Sequence, residues 1–329
     1  MPHTLLRQFL LSPNAILAAC LALALWHQPL GATPHSGCTE ANDRCVAAGT
    51  WEFQVAIGAG VRTNPIASAD DIPLVLIPQL TYYGKRFFLD NLDLGYTLVD
   101  RPSWMLNALV TAGGDGLYFF EDDWGRFFLD GGLATPTNGF VSDSPEMPAR
   151  DYVADDGGSS DPVGDGSEDS PAREEPQQAP LPELRERDIA ALAGLESSGQ
   201  MGRFEWQLQA LSDASGVHDG QALRFALSTA TQAQEHHLGM SVGFNWKSAE
   251  VMEYYYGVTQ GEAGTARPAY QPASGTSPFV RLSWTRPTGQ HWRWLGSVQY
   301  EHLSEAMRHS PLVDRNQVMQ IFFGGVYHF

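Results

Sequence analysis

The chain has 329 residues and is strongly acidic, with 20 Lys and Arg against 38 Asp and Glu and a formal net charge of −18. A nucleic-acid-binding protein needs a basic surface to replace the counterions on phosphate, and this chain has only two lysines, Lys85 and Lys247. After the first 30 residues no apolar run approaches the ~20 residues with which a helix spans a bilayer. The composition therefore leaves a soluble β-rich protein or a transmembrane β-barrel.

Residues 1–32 predict a secretory signal peptide. Arg7 precedes an apolar core over Ala15–Trp26, and the small residue Ala32 offers a cleavage position. Two alternatives stay open. The first is a retained membrane anchor, although the apolar run of about 12 residues is short for one. The second is a lipoprotein signal, because Leu17–Cys20 is similar to a lipobox.

Two cysteines remain after the signal, Cys38 and Cys45, within the segment 33–50 that is expected to precede the barrel in the periplasm. Export to an oxidising compartment predicts a structural disulfide between them. A metal site would need ligands beyond His35, and a catalytic redox pair has the spacing C-x-x-C, which this pair lacks.

The chain after residue 50 is dominated by a period of two, in which large apolar residues alternate with small or polar ones. An example is the run Leu238-Gly239-Met240-Ser241-Val242-Gly243-Phe244-Asn245-Trp246. Successive strand residues face opposite sides, so each such run has one apolar and one mostly polar face. A soluble β-sandwich would show the same alternation. Runs of about ten residues, however, match a tilted bilayer-crossing strand better than the ~5–6 residues of an average soluble strand.

These runs predict an all-β fold, an antiparallel transmembrane β-barrel of about 12 strands over residues 51–329. The predicted strands are 51–62, 74–83, 86–99, 103–112, 117–131, 188–198, 202–213, 220–231, 236–247, 277–286, 291–302 and 317–329. An even number is typical of bacterial barrels, as are short turns on the periplasmic rim and longer loops outside. The predicted connections alternate in this way, with one exception at Asp100–Pro102.

The last predicted strand carries a distinct pattern. Counting back in twos from Phe329 gives Tyr327, Gly325 and Phe323, a mostly aromatic face that ends in a terminal Phe. This pattern resembles the signal that the barrel-assembly machinery recognises in outer-membrane proteins, so we expect Phe323, Tyr327 and Phe329 to form a C-terminal assembly signal. The alternative is an ordinary closing strand.

An acidic insert interrupts the alternation. Residues 141–180 hold eleven acidic and two basic residues together with many Pro, Gly and Ser. Such a segment cannot bury enough apolar surface to offset its ordering entropy. We therefore expect 135–187 to be a disordered acidic extracellular loop. Calcium binding is the alternative, and the candidate ligands, which lack the spacing of an EF-hand, are Asp155, Asp156, Asp161 and Asp165.

Several motifs follow one another along the chain: Gly58–Val61, Asn64-Pro65, Phe87-Phe88, Leu94–Tyr96, Tyr254–Thr259, Tyr270–Pro272, Ser310–Val313 and Gly324–Phe329. In this ordered set the chain resembles the MltA-interacting protein family, MipA/OmpV, of Gram-negative outer membranes. The acidic insert 141–180 departs from the family, which usually has a shorter loop there.

The resemblance implies an outer-membrane barrel and a choice of roles. One class of members is held to be a scaffold that joins a murein transglycosylase to a peptidoglycan synthase. Other members are linked to osmotic response, adhesion or immunogenicity. The family has no established catalytic residues, so the resemblance supplies none to this chain.

A search for catalytic chemistry gives weak candidates. A lipase-like barrel would need a serine and a histidine within reach of each other and a group that orients the histidine. His302 and Ser304 lie two residues apart, and Glu301 is adjacent to His302. Strands frequently carry such residues by chance. His236 and His237 are neighbours on a strand and face opposite ways, so they cannot easily share one metal ion. The chain has no P-loop and no G-x-S-x-G motif. We expect no catalytic, cofactor-binding or metal-binding residues and predict that the protein is not an enzyme.

The aromatic residues favour girdles at the two bilayer interfaces over a platform on which a ligand stacks. The residues considered are Trp206, Trp246, Trp284, Trp292, Trp294, Tyr254, Tyr255 and Tyr300.

The sequence therefore predicts an outer-membrane scaffold or interaction protein for cell-envelope enzymes. Its expected partners are outer-membrane lipid, the barrel-assembly machinery, a murein transglycosylase and a peptidoglycan synthase, with no nucleic acid. The alternatives are a narrow channel, a barrel that binds small solutes, and an adhesin-like surface protein.

The disulfide can be tested directly. The pair Cys38 and Cys45 encloses a short loop, so in the chain-entropy model the bridge contributes only about 2 kcal/mol. Replacing both with Ser should leave the amount of folded barrel unchanged. Thiol labelling of the native, unreduced mature protein should find neither cysteine free, and labelled thiols would contradict the bridge.

Overall fold

The computed structural model describes residues 49, 51–67, 69–119, 184–264, 267–289 and 291–329. Within these ranges twelve antiparallel strands close into one barrel, each paired with its neighbours in chain order and β12 paired with β1. The strands are β1 Trp51–Arg62, β2 Ile72–Tyr83, β3 Phe87–Asp90, β4 Asp93–Arg101, β5 Trp104–Ala112, β6 Ala191–Met201, β7 Phe204–Asp213, β8 Gln221–Ala233, β9 His236–Lys247, β10 Gly275–Pro287, β11 Trp292–His302 and β12 Gln317–His328. The predicted fold and strand number are confirmed.

Three sequence predictions fall outside the described residues. They concern the signal peptide 1–32, the pair Cys38 and Cys45, and the predicted disordered loop 135–187 as far as residue 183. The end of that loop prediction was wrong, because residues 184–187 are described and the Arg187 side chain is buried and hydrogen-bonded to Tyr254 and Gly257.

The two faces of the sheet are sorted by polarity. On β7, Leu208 is exposed on the outer surface, whereas its neighbours Gln207 and Gln209 are buried in the lumen. Other exposed outward-facing side chains are equally apolar, among them Ile57, Leu94, Leu195, Leu238, Leu282, Val298 and Phe323. This outer surface suits a hydrocarbon environment, and the alternation that predicted it is the alternation of the pleat.

The barrel closes where β1 meets β12 through nine consecutive residue pairs, from Gln54↔His328 to Arg62↔Gln320. Gly58 and Gly324 are opposite each other in this register. A Cβ on Gly58 would collide with the Phe323 carbonyl oxygen, and one on Gly324 would collide with that of Ile57. The two glycines therefore let the first and last strands approach closely enough to close the ring.

The predicted strands 3 to 5 need correction. The predicted strand 86–99 is two strands, β3 and β4, separated by a reversal at which Asn91 adopts φ 55°. Asn tolerates this left-handed conformation better than most residues, and its side chain caps the turn by accepting a hydrogen bond from the Leu80 N–H at 3.2 Å. The alternation of apolar and polar residues continues across the turn, so it concealed the break. The predicted strand 103–112 corresponds to β5.

The predicted strand 117–131 was also wrong where it can be checked. Gly114–Phe119 forms a 3-10 helix that is largely buried, with Asp115, Leu117 and Tyr118 inside the molecule. Residues 120–131 lie outside the described ranges. The count of twelve is unchanged because one predicted strand divides into two and the predicted strand 117–131 has no counterpart among the described strands.

Loop lengths distinguish the two rims. One rim carries the connections 84–86, 102–103, 202–203, 234–235 and 288–291, together with residue 51 and the C-terminus. The opposite rim carries the longer connections 63–71, 113–190, 214–220, 248–274 and 303–316, and the two-residue turn 91–92. Short turns mark the periplasmic rim of such barrels. The helices α1 Ala249–Tyr256 and α2 Glu305–Arg308 belong to the long-loop rim.

No helix in the described part of the chain is both long and apolar enough to cross a membrane.

The strand β2 pairs with its two neighbouring strands over very different lengths. It pairs with β1 along Ile72–Tyr82, but with β3 only along Thr81–Tyr83. The Leu80 N–H and C=O both bond to Asn91 on the β3 side. Pro78 lies two residues before Leu80, so its backbone nitrogen faces the same edge of β2 as the Leu80 N–H. Proline is tolerated at an edge because it has no N–H to donate.

The C-terminal residue can be tested as part of the assembly signal. Phe329 is 67% exposed, its ring centroid lies 5.0 Å from that of Phe53 and 4.8 Å from that of Tyr327, and its N–H donates to the Phe53 carbonyl. Deleting Phe329 should lower the amount of heat-modifiable barrel in the outer membrane several-fold, because this aromatic closure is lost. Met201→Ala is the control, since Met201 is 64% exposed and should be neutral. Equal amounts of folded barrel for the deletion and the wild type would contradict the signal.

Candidate functional site

The long-loop mouth of the barrel is filled by what we call the cap. The cap comprises the 3-10 helix Gly114–Phe119, residues 184–190, α1 and α2. Its apolar residues join those of the inner wall in one cluster that includes Met252, Tyr256, Met307 and Phe322. The cap is therefore packed into the barrel interior and does not lie over its surface.

The helix α1 forms because its sequence changes period. Val251, Met252, Tyr255 and Tyr256 are spaced as one helical face, and all four are buried. Ser248 precedes the helix as its N-cap, and Glu250 places a negative charge in the first turn, where the helix dipole favours it. The eight-residue helix depends on this packing for its stability.

Asp115 is a hydrogen-bonding centre of the cap. It accepts hydrogen bonds from Lys247 Nζ and from the Tyr256 hydroxyl, both at 2.5 Å. Burial would raise the pKa of this carboxyl, but the Lys247 ammonium and the Tyr256 hydroxyl outweigh burial and hold the pKa below its usual range. The resulting ion pair ties the 3-10 helix to the end of β9 and to α1.

Arg187 and Glu262 form a second buried centre. The Arg187 guanidinium donates to the carbonyls of Tyr254 and Gly257 at 3.1 Å and lies 3.5 Å from Glu262 Oε1. Burial would raise the pKa of Glu262, but the Thr259 and Arg185 N–H donors, the Thr259 hydroxyl and the Arg187 charge hold it at about 2. This centre fixes the chain that enters β6 against the end of α1.

Further contacts join the remaining loops to the cap. Arg62 donates to the Tyr118 hydroxyl at 2.7 Å, and the fully buried Asn64 donates to the Tyr118 carbonyl at 3.1 Å. Ser310, beyond α2, donates to the Tyr256 carbonyl at 2.6 Å. Every long connection with described residues therefore contributes a contact to the cap or to its support.

His218, in the loop between β7 and β8, packs against the cap with its ring centroid 5.8 Å from that of Tyr255. Its Nδ1 accepts a hydrogen bond from the Gly220 N–H at 2.9 Å and lies 3.6 Å from Asp213 Oδ2. Burial lowers the pKa of His218 more than the nearby carboxylates of Asp213, Asp115 and Asp219 raise it. The folded loop therefore favours the neutral imidazole.

Below the cap the lumen has two unlike halves. On the wall of β1, β2, β11 and β12, the buried residues include Ala56, Ile77, Leu295, Phe322 and Val326, which pack together. On the wall of β5 to β7, Glu196 accepts hydrogen bonds from Asn107 at 3.0 Å, from Gln207 at 2.6 Å and from Gln209 at 2.8 Å. A cavity of about 150 Å³ lies on the polar side and reaches up to the cap.

A sequence profile described as "MltA-interacting protein MipA" matches residues 55–329. The chain belongs to the MipA family. It is 34% identical over 89 residues to the MltA-interacting protein of Escherichia coli K12, which covers 27% of this chain and 36% of that protein. It is 24% identical over 150 residues to the putative outer membrane protein YiaT of the same organism, which covers 45% of this chain and 61% of that protein. The matched stretch thus spans about a third of the first relative and less than two thirds of the second.

Solved barrels align over most of the chain at low identity. An outer membrane channel from Pseudomonas putida F1 covers 88% of this chain and 98% of its own, with a TM-score of 0.37 and 9% identity. A loop-deletion mutant of OmpT, an outer membrane protein of Vibrio cholerae, covers 86% and 100%, with a TM-score of 0.29 and 9% identity. The register of the paired strands itself establishes the closed barrel.

The predicted localisation is confirmed: this MipA-family protein is an outer-membrane β-barrel. Within the barrel, the predicted assembly-signal residues Phe323, Tyr327 and Phe329 lie on the outer surface at the closing strand. Their role in assembly stays a prediction.

Of the residues predicted for the aromatic girdle, Trp292 and Trp294 are exposed as expected, and two tyrosines were wrongly assigned. Trp292 and Trp294 are exposed on the outer surface near the short-turn rim, where Trp51 and Tyr82 also pair with ring centroids 4.7 Å apart. Tyr254 and Tyr255 instead lie on α1 in the cap. The period change at α1 was the signal that could have placed them there.

The weak catalytic candidates are not assembled into a site. Glu301 faces the lumen and accepts from Asn245 at 3.3 Å, whereas His302, the next residue of β11, faces the opposite side of the sheet. The Ser304 hydroxyl is the N-cap of α2 and accepts from the Met307 N–H. On the outer face, His236 of β9 accepts a hydrogen bond from Trp284 Nε1 of β10, so His236 and His237 point apart as predicted. The described residues contain no group of three ligands that could hold a metal ion.

The centres of the cap were missed by the sequence analysis. Asp115 and Lys247 are 132 residues apart, and Arg187 and Glu262 are 75 apart. No local pattern pairs residues at such distances. The sequence did contain a weaker indication that Lys247 is special. It is one of only two lysines in an acidic chain, and it ends a strand whose inner face otherwise carries small or neutral side chains.

The His218 environment makes the cap sensitive to acid. A histidine whose pKa is lowered in the folded state contributes stability that is complete above its ordinary pKa and is lost as the pH falls. Amide exchange in residues 214–220 and 249–256, corrected for intrinsic rates, should therefore be faster at about pH 5 than at about pH 7.5. His218→Gln should remove most of this difference, while His291→Gln, on the opposite rim, should preserve it. A pH difference that survives His218→Gln would contradict the assignment.

Proposed function

We propose that this MipA-family barrel is a non-enzymatic scaffold that holds peptidoglycan-remodelling enzymes at the periplasmic face of the outer membrane. The observation that supports this proposal most strongly is the cap. A channel needs a continuous water-filled path, and the extracellular mouth of this barrel is occupied by buried apolar side chains and paired charges.

The apolar side chains of the cap are as buried as those of a protein core. Met252 and Tyr256 are fully buried, and Tyr255 and Met307 are 1% exposed. Moving α1 out of the mouth would expose these side chains and break the hydrogen bond from the Tyr256 hydroxyl to Asp115. Such an element suits a closed barrel better than a gate that opens readily.

The short-turn rim is the side available to periplasmic enzymes. Five short turns and both ends of the barrel chain lie there, at residues 51 and 329. The relative from Escherichia coli is named for its interaction with MltA, a murein transglycosylase, and we take that enzyme class as the first partner. A peptidoglycan synthase is the second partner that a scaffold of this kind would join to it.

The proposal assigns no chemistry to the barrel itself. The Glu301 side chain accepts a hydrogen bond from Asn245 in the lumen, whereas His302 faces the outer side of the sheet. The Ser304 side chain caps α2. A hydrolase needs its nucleophile and base within hydrogen-bonding reach.

Two measurements on the full barrel test the proposal together. In planar bilayers the wild type should give no stable unit conductance. A variant with Met252→Ala and Tyr256→Ala, which empties the cap, should give conductance steps and so shows that insertion can be detected. In nanodiscs the wild type should retain a purified MltA-type transglycosylase, with an unrelated outer-membrane barrel of similar size as the control.

The outcomes separate the scaffold from the channel. Stable unit currents from the wild type would favour the channel and overturn the role of the cap. Failure of the wild type to retain the transglycosylase, with both proteins shown to be folded, would overturn the scaffold.

A further inference from the structure

Two neighbouring turns of the short-turn rim carry exposed positive charge. Lys85 and Arg86 lie in the turn between β2 and β3, and Arg101 ends β4 at the next turn around the ring. All three side chains are exposed. None of the three forms an ion pair with another described residue, whereas on the same rim Arg286 pairs with Glu235 at 3.3 Å. The positive charge of these two turns is therefore open to a partner from outside the chain.

The acidic residues of the same strands face away from this charge. Asp100 pairs with Met105, and Arg101 pairs with Trp104, so the alternation of the pleat puts Asp100 on the lumen side and Arg101 on the outer side. Asp90 accepts a hydrogen bond from the Tyr83 hydroxyl within the lumen. Glu52 lies on the lumen side as well, since it alternates with the outward-facing side chains of β1.

The remaining acidic surface of the barrel is too far away to cancel the charge. It belongs to the long-loop rim, at the other end of the strands. The nine residues of β4 alone extend about 30 Å at ~3.3 Å per residue. That length is about three times the Debye length of ~8–10 Å at physiological ionic strength. The two turns therefore attract anions locally, although the chain as a whole is acidic.

Exposed aromatic side chains lie beside these basic residues on the outer face. Phe87 follows Arg86 directly, is 44% exposed, and has its ring centroid 6.3 Å from that of Tyr82. Phe87 is paired with the exposed Tyr96, and Trp104, which shares the outer face with Arg101, is exposed too. Aromatic rings of this kind mark the level of the lipid headgroups, to which neighbouring Lys and Arg side chains extend. The basic residues therefore lie at the membrane interface.

The backbone fixes the spacing of the charges. The Gly84 N–H donates to the Phe87 carbonyl at 2.8 Å, which closes the turn, and the Thr97 N–H donates to the Arg86 carbonyl at 2.7 Å. Arg86 is therefore held opposite Thr97, four residues before Arg101 on β4, or about 13 Å along the strand. A single phosphate cannot reach both guanidinium groups. Two adjacent headgroups of a lipid leaflet can each reach one of them.

We propose that these two turns bind anionic phospholipid of the periplasmic leaflet, with one headgroup at Lys85 and Arg86 and a second at Arg101. We call this surface the basic arc. Its ammonium and guanidinium groups donate charge-assisted hydrogen bonds to phosphate oxygens. The acyl chains then lie along the apolar outer surface above Phe87 and Trp104. A zwitterionic lipid binds more weakly, because its own cationic group offsets the phosphate charge.

The ligand class is tested by native mass spectrometry of the folded barrel in a neutral detergent. The probes are phosphatidylglycerol and phosphatidylcholine with identical acyl chains, added as an equimolar mixture. The first two bound lipids should be phosphatidylglycerol, with an affinity at least fivefold higher than that of phosphatidylcholine. A higher ammonium acetate concentration should reduce this preference, because salt screens the attraction. Equal binding of the two lipids would overturn the proposal.

Matched variants test the site. The triple variant Lys85→Gln, Arg86→Gln and Arg101→Gln should lose the preference for phosphatidylglycerol. Arg101→Gln alone should weaken phosphatidylglycerol binding at its headgroup about fivefold. Arg286→Gln is the control: it removes an exposed arginine of the same rim that is already paired with Glu235, and it should leave the preference unchanged.

Two results would contradict the assignment to the basic arc. An unchanged preference in the triple variant would place the lipid elsewhere on the barrel. If heat modifiability shows that the triple variant does not fold, Arg101→Gln takes its place, and equal phosphatidylglycerol binding by Arg101→Gln and Arg286→Gln would overturn the site.

This inference is independent of the scaffold. In nanodiscs of phosphatidylcholine, the triple variant should retain the MltA-type transglycosylase as the wild type does. Loss of the enzyme from the triple variant, together with an unchanged lipid preference, would assign the basic arc to the enzyme and overturn the lipid site. Failure of the wild type to retain the enzyme, with the lipid preference intact, would overturn only the scaffold.

Discussion

The rest of this structure depends on the pairing of strand backbones in an environment without water. Every N–H and C=O inside a bilayer needs a partner from the protein, and a closed ring of strands supplies one. The decisive pairing is between β1 and β12, which joins residues more than 250 positions apart in the chain. Gly58 and Gly324 make that contact close, and once it is formed the pleat sends each side chain either to lipid or to the lumen.

This sorting places most of the polar side chains of the strands in the lumen. The lumen has two halves that differ in packing. One half is packed and supports the cap through apolar contacts around Phe322 and Met252. The other half carries amide, guanidinium and carboxylate groups, and these line a cavity. The buried Asp115–Lys247 pair joins the two halves at the mouth. A buried ion pair of this kind contributes little net stability, and we infer that its value lies in fixing one arrangement of the cap.

Although two errors in the strand list cancelled to give the number twelve, the period of two was enough to predict the barrel and the face on which most residues lie. It failed at Asn91, because a two-residue reversal leaves the alternation intact and only the left-handed backbone distinguishes it. It failed again at Gly114–Phe119, where the chain turns inward to a partner, Lys247, that lies far away in sequence. The polar faces of β8 and β9 were correctly assigned to a wet lumen. The cavity itself depends on which of those side chains pair with each other, and that is a property of the register.

The shortness of β3 has a consequence for the membrane. The wall that the described strands build is four residues long at β3 and twelve at its neighbour β2, a difference of about 26 Å along the strand direction at ~3.3 Å per residue. Lipid chains beside the low side meet a much shorter apolar surface than those beside β2. Such hydrophobic mismatch thins and tilts the surrounding bilayer on one side of the barrel only. The height of the apolar wall, and with it the thickness of bilayer that the wall matches, therefore differs between β2 and β3.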